Sequence, residues 1–130
     1  MASGLENLKI YNLAERIEIF LHKLTKKYPV DEKYRMVDQI RRASNAITSN
    51  IAEGYGRYAY KEKIRYMHIA RGEAYELKQL MIRSQKKEYI KKESLAFIEE
   101  KMVELLKGMN GYVKFLRSKA ETHLTNKPIN

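Results

Sequence analysis

Gln39–Ile40–Arg41–Arg42–Ala43–Ser44–Asn45–Ala46–Ile47–Thr48–Ser49–Asn50–Ile51–Ala52–Glu53–Gly54–Tyr55–Gly56–Arg57 is the least generic stretch of the chain. Val37, just before it, and Ile40, Ile47, Ile51 and Tyr55 fall at helical spacing, with small Ser44 filling the gap in the row. Ala43, Ala46 and Ala52 are small enough to let a neighbouring helix come close. Arg41, Arg42, Asn50, Glu53 and Arg57 add polar groups that an ordinary solvated helix does not need, and Gly54 and Gly56 end the run. Gly54 reads in two ways, as a helix C-cap or as a place where another backbone approaches.

Three further amphipathic segments surround this helix. Upstream, Leu13, Ile17, Phe20, Leu21 and Leu24 make one apolar face from about Leu5 or Leu8 to Lys27, where Pro29 stops it. The central helix opens after Val30, with Asp31 and Glu32 placing negative charge at its N-terminus. Downstream, Ile64, Met67, Ala70, Ala74, Leu77 and Met81 mark a stripe over about 60–87, widened by Tyr66, Ile69, Leu80 and Ile82. A stripe that broad packs on more than one neighbour. Tyr89 and Ile90 are expected to hook the next loop onto the core. Leu95, Ile98, Met102, Leu105, Met109, Tyr112 and Leu116 then recur at spacings of three and four, the seam of a bundle helix running from Lys92 or Ser94 to Arg117. The pattern predicts an all-α, antiparallel up-down-up-down four-helix bundle over residues 1–118. Residues 119–130 are expected to form a polar, frayed tail. Ile17, Leu21, Ile40, Ile47, Ile51, Leu77, Leu105 and Met109 are the predicted core.

Composition fits this reading. A chain of 130 residues, 44% hydrophobic and 32% charged, forms one domain with a real core. The absence of Cys removes disulfides and thiolate metal sites. No apolar run approaches a membrane span, and Met1–Glu6 lacks the basic start and apolar segment of a signal peptide, so a cytoplasmic protein without a membrane partner is expected. The histidines, His22, His68 and His123, lie in three distant places, and no Glu-x-x-His, His-Glu-x-x-His, phosphate-binding Gly loop or Gly-x-Ser-x-Gly occurs. Neither metal, cofactor nor enzymatic activity is expected. All three histidines read as surface or boundary residues.

Charge points to a partner class. The net charge is +10, which favours a polyanion, RNA or DNA. Residues 1–58 hold ten Lys or Arg against seven Asp or Glu, whereas residues 59–130 hold sixteen against nine. Tyr58, Tyr60, Lys61, Lys63, Arg65 and Tyr66 interleave rings that stack on bases with cations that meet phosphates. Arg41, Arg57, Lys61, Lys63, Arg65 and Arg71 are therefore the candidate nucleic-acid surface. The plainer reading is a solvated bundle face in which Glu53 and Glu62 neutralise Arg57 and its neighbours. Arg42 is expected to be tied into the bundle by a carboxylate. Asn50 and Glu53 lie round the helix from Ile51 and form, with Arg57, a second face suited to another copy of the chain.

Gln39, Arg41, Arg42 and Ala43, then Ser49–Asn50–Ile51–Ala52–Glu53–Gly54, then Gly56–Arg57, resemble the signature of the 23S rRNA-intervening sequence protein family, also called the four-helix bundle protein family. Ile64–Arg65–Tyr66–Met67–His68–Ile69–Ala70–Arg71–Gly72–Glu73–Ala74–Tyr75–Glu76–Leu77 resembles it as well, and the likeness spans about Leu5 to Leu116. Departures are Tyr11 in place of Trp, Ala59 in place of a capping Ser, Lys63 in place of Phe and Glu73 in place of Ser. The resemblance implies a helical bundle assembled as a pentameric ring, in which Arg42, Asn50, Glu53 and Gly54 act in structure or at the oligomer interface. More distantly the chain is similar to accessory proteins of diversity-generating retroelements, basic pentameric bundles that assist a reverse transcriptase. That likeness favours structured RNA or an RNA–DNA intermediate as partner. The alternative is a ring that holds another protein, with no nucleic-acid role.

Overall fold

The computed structural model describes residues 4–125. Within them the chain forms four α-helices and no strand: α1 Lys9–Thr25, α2 Met36–Tyr55, α3 Tyr60–Lys86 and α4 Lys92–Thr125. They pack as a four-helix bundle. Paired contacts show neighbours running in opposite directions. Along α2 and α3, Met36 meets Ser84 while Gly54 meets Lys63 and Tyr66. Along α1 and α4, Ile10 meets Gly108 while Phe20 meets Phe97.

The apolar rows converge as their spacing requires. All eight predicted core residues are buried, and Leu21, Ile40, Ile51, Leu77 and Leu105 are wholly inaccessible. Buried hydroxyls turn back onto their own helices: Thr25 Oγ1 donates to Leu21 O at 2.7 Å, and Ser84 Oγ to Leu80 O at 2.9 Å. Both of these donors are thereby paired.

The central helix begins later than the charge pattern predicts. Val30–Glu32 is a separate 3-10 turn, and α2 starts only at Met36. Glu32 still serves the helix N-terminus, but from outside it. Its buried carboxylate accepts the Met36 N–H at 3.2 Å and the Tyr89 hydroxyl at 3.2 Å. Tyr89 also packs on Tyr28 with ring centroids 5.3 Å apart, and Ile90 is buried, so this loop is hooked onto the bundle as expected.

The last helix corrects the sequence reading in the other direction. It runs through Arg117 to Thr125 rather than fraying after residue 118. Ala120 and His123 continue the three-four spacing from Leu116, and the His123 ring lies 6.4 Å from that of Tyr60 at the start of α3. Residues 126–130 of the expected tail lie outside the described residues.

Candidate nucleic-acid interface

Gly54 sets this corner of the molecule. It is buried within the last turn of α2, next to its final residue Tyr55, and is not the cap, which is Gly56. A Cβ there would stand 2.8 Å from Tyr66 Cβ and 3.2 Å from Lys63 O. Only glycine lets the α3 backbone come this close, which brings the first turns of α3 across the last turn of α2. Residues 56–59 connect them, and α3 begins without a side-chain cap, as Ala59 implies.

The cations that this crossing gathers have different occupations. Lys63 Nζ donates to Tyr55 O at 2.6 Å, satisfying an end carbonyl of α2, and sits 5.4 Å over the Tyr55 ring. Burial pushes its pKa down. Arg41 is similarly engaged. Its Nε donates to Thr25 Oγ1 at 3.0 Å and its guanidinium to His22 O at 3.2 Å, closing the last turn of α1. Both side chains hold helix ends, so neither stands free for phosphate. Arg42, expected to be tied into the bundle, is instead the exposed member of the pair. It meets Asp38 at 3.5 Å on the surface of α2, with side chains 71% and 62% exposed. One residue is about 100° of helix, which explains the exchange. Arg41 faces α1, whereas Arg42 faces solvent and the α3 carboxyl of Glu73. Burial and neighbouring Glu76 push Glu73 up in pKa, and Arg42 partly counters them.

Tyr66 is the hub of the remaining cluster. Arg57 donates to Glu53 at 2.7 Å and to the Tyr66 hydroxyl at 2.8 Å, with its guanidinium 5.0 Å from the ring centroid. The bond to Glu53 raises the Arg57 pKa further. Arg65 lies 5.3 Å from the same ring and 3.7 Å from Glu62. The carboxylates thus neutralise part of the patch, as the plainer reading expects, and the pairs are exposed ones of small worth. Lys61 is exposed and has no ion pair among the described residues. Arg71 is exposed further along α3, 6.0 Å over the Tyr75 ring. Asn50 does not join the cluster. Its amide donates to Ala46 O at 2.7 Å within α2.

A feature missed in the sequence completes this end. Tyr58, Ala59, Tyr60, Lys63, Ala120 and His123 line an open cleft of about 460 Å³, with Tyr58 standing fully exposed. By composition His123 belongs to the polar tail. The signal for it was the unbroken step from Leu116 to Ala120 to His123. Among the described residues no group of three His, Asp or Glu converges on a metal position, and no helix is long and apolar enough to cross a membrane.

Comparison with known proteins agrees with this architecture. Residues 6–111 match the family described as 23S rRNA-intervening sequence protein. The chain is also similar to a crystal structure of a protein with unknown function from the S23 ribosomal protein family of Bacteroides thetaiotaomicron. The TM-score is 0.75 and the identity 24%, covering 81% of this chain and 95% of that one. At that identity the likeness speaks for the fold. None of the curated proteins matches.

Proposed function

Starting from the fact that this chain belongs to the 23S rRNA-intervening sequence protein family, we propose that it binds nucleic acid non-catalytically through the α2–α3 corner and the adjoining end of α4. Structured RNA or an RNA–DNA duplex is the partner class. The observation that carries this reading is charge around exposed rings. Residues 57–71 hold five cations and one carboxylate, and Tyr58 stands fully exposed among them. Phosphates meet Lys61, Arg65, Arg57 and Arg71, while an unpaired base stacks on Tyr58 or in the Tyr60–His123 cleft. Arg41 and Lys63 support the surface by fixing helix ends. The protein acts as a homo-oligomer, a pentamer by its signature. Exposed Ile69 on α3 supports a contact with a second copy. Ring assembly adds the weak patches of several copies into one field.

Binding of a hairpin RNA and of an RNA–DNA duplex at two salt concentrations tests this. Lys61→Ala with Arg65→Ala and Arg71→Ala is expected to stay folded, to bind more weakly, and to show a salt slope smaller by about two to three units. Unchanged affinity and slope remove this surface. No binding by the parent at low salt favours a protein-holding ring instead. Light scattering reports the assembly, and a mass near 15.4 kDa refutes it.

A further inference from the structure

A second surface lies on the opposite seam, between α1 and α4, and its chemistry differs. Leu13, Ile17, Phe20, Phe97 and Ile98 floor a groove of about 440 Å³. Phe20 and Phe97 meet there with centroids 5.0 Å apart. Ile19 at its edge is 50% exposed and Phe97 44%, which is unusual company for a charged surface. A second hollow shares Leu13 and Arg16 with the first and continues it to Lys9 and Gly108. There the lack of a side chain at Gly108 lets Ile10 of α1 sit close on α4. The two form one trough alongside α1 from residue 9 to residue 23, roughly 21 Å at 1.5 Å per residue.

The rim is mainly positive. Lys9, Arg16 and Lys23 recur every seventh residue along α1, so they stand in one row, and Lys101 faces them from α4. Glu104, already 3.7 Å from Lys101, is the single carboxylate of the lining. Arg16 and Lys23 have no ion pair among the described residues. An apolar floor does not suit a phosphate backbone, whereas a row of cations at heptad spacing beside that floor suits a helix with carboxylates at the same period.

We propose that the α1–α4 groove docks an acidic amphipathic helix of a partner protein. Its apolar residues, at positions i, i+3 or i+4, and i+7, pack onto the floor over Phe20 and Phe97, and its Asp or Glu side chains meet Lys9, Arg16 and Lys23. The site is distinct from the nucleic-acid surface: it uses α1 and residues 97–108 of α4, whereas that surface takes only the far end of α4, and Lys61, Arg65 and Arg71 stay open.

Two labelled synthetic peptides of about 21 residues test this by fluorescence anisotropy against the full chain. Both carry leucine at a and d of each heptad; one has glutamate at e and g, which keeps it from pairing with itself, and the other has lysine there. The glutamate peptide is expected to bind at least about ten-fold more tightly than the lysine peptide, the sum of a few rim charges. Arg16→Glu with Lys23→Glu is expected to abolish or reverse that preference, and Phe97→Ser to weaken the glutamate peptide. The Lys61, Arg65 and Arg71 triple alanine variant is expected to leave peptide binding unchanged, which separates this site from the nucleic-acid surface. Circular dichroism confirms that each variant is folded. Equal binding of the two peptides, no binding of the glutamate peptide, or insensitivity to the Arg16 and Lys23 reversals overturns the proposal. So does a fall in oligomer mass on Phe97→Ser, which assigns the groove to a second copy.

Discussion

Single side chains decide how the bundle closes. Gly54 and Gly72 both sit inside helices, yet their surroundings differ: the Gly54 position is crowded by Tyr66 and Lys63, whereas nothing lies within 4 Å of a Cβ at Gly72. Helix propensity favours alanine at both by up to about 1 kcal/mol. At Gly54 an overpacking cost of about 1–3 kcal/mol outweighs it. Gly54→Ala is therefore expected to lower the urea midpoint and Gly72→Ala to raise it. Equal shifts refute the close-approach reading. Tyr89 offers a test by pH. Burial first, then the negative charge of Glu32 that accepts its hydroxyl, raise its pKa above the ordinary 10.0. The folded state thus holds the proton more tightly than the unfolded one. The stabilisation is complete below pH 10 and is lost as pH rises through the higher folded value. Parent and Tyr89→Phe are expected to differ in urea midpoint at pH 8 and to draw together as pH rises past the ordinary 10.0, and a constant gap refutes the linkage. At this scale the sequence was only partly legible. It singled out Gly54 but left its role open, and it placed Arg41 on the surface and Arg42 in the bundle. Which of two adjacent arginines meets the neighbouring helix depends on helix phase, and spacing alone left it unresolved.

Elements were easier to read from their interiors than from their ends. The apolar rows of α1 to α4 came through because burial demands them at every turn, and α3 came within a residue of its observed span. Their ends rest on contacts from elsewhere in the chain. The first turn of α2 waits for Glu32 to reach Met36 N from a separate turn, and the last of α4 is held by Tyr60 against His123. The end of α3 carries a strain that pattern reading does not reveal. Glu88 takes φ 65°, the left-handed region, so that Tyr89 N–H reaches Ser84 O and Glu88 N–H reaches Gln85 O, each at 2.9 Å. That closure normally uses glycine. Glu88→Gly is expected to stabilise the protein by about 0.5–1 kcal/mol, the relief of a left-handed non-glycine residue less the entropy glycine adds to the unfolded chain. Thermal unfolding checks it, and a loss of stability shows that the Glu88 side chain has a role of its own.

For the whole molecule, the four-helix bundle was legible because four rows of apolar residues, each with helical period, have few other ways to hide. The surfaces were less so. The cation run after residue 57 was visible, but the Tyr58–Tyr60–His123 cleft joins residues distant in sequence, and the α1–α4 trough joins the two outer helices. Proximity along the chain also has a consequence in time. The crossing at Gly54 needs only residues 56–59 to turn back, whereas Phe20 and Phe97 must find each other from opposite ends of the chain, and closing the longer loop costs more entropy. The α2–α3 hairpin is therefore expected to form first, with α1 and α4 joining after the rate-limiting step. In stopped-flow refolding, Gly54→Ala should slow folding, while Phe20→Leu should mainly hasten unfolding. The reverse assignment would make the outer seam the nucleus. If the order holds, the α2–α3 cations assigned to nucleic acid come together while the groove assigned to an acidic helix is still open.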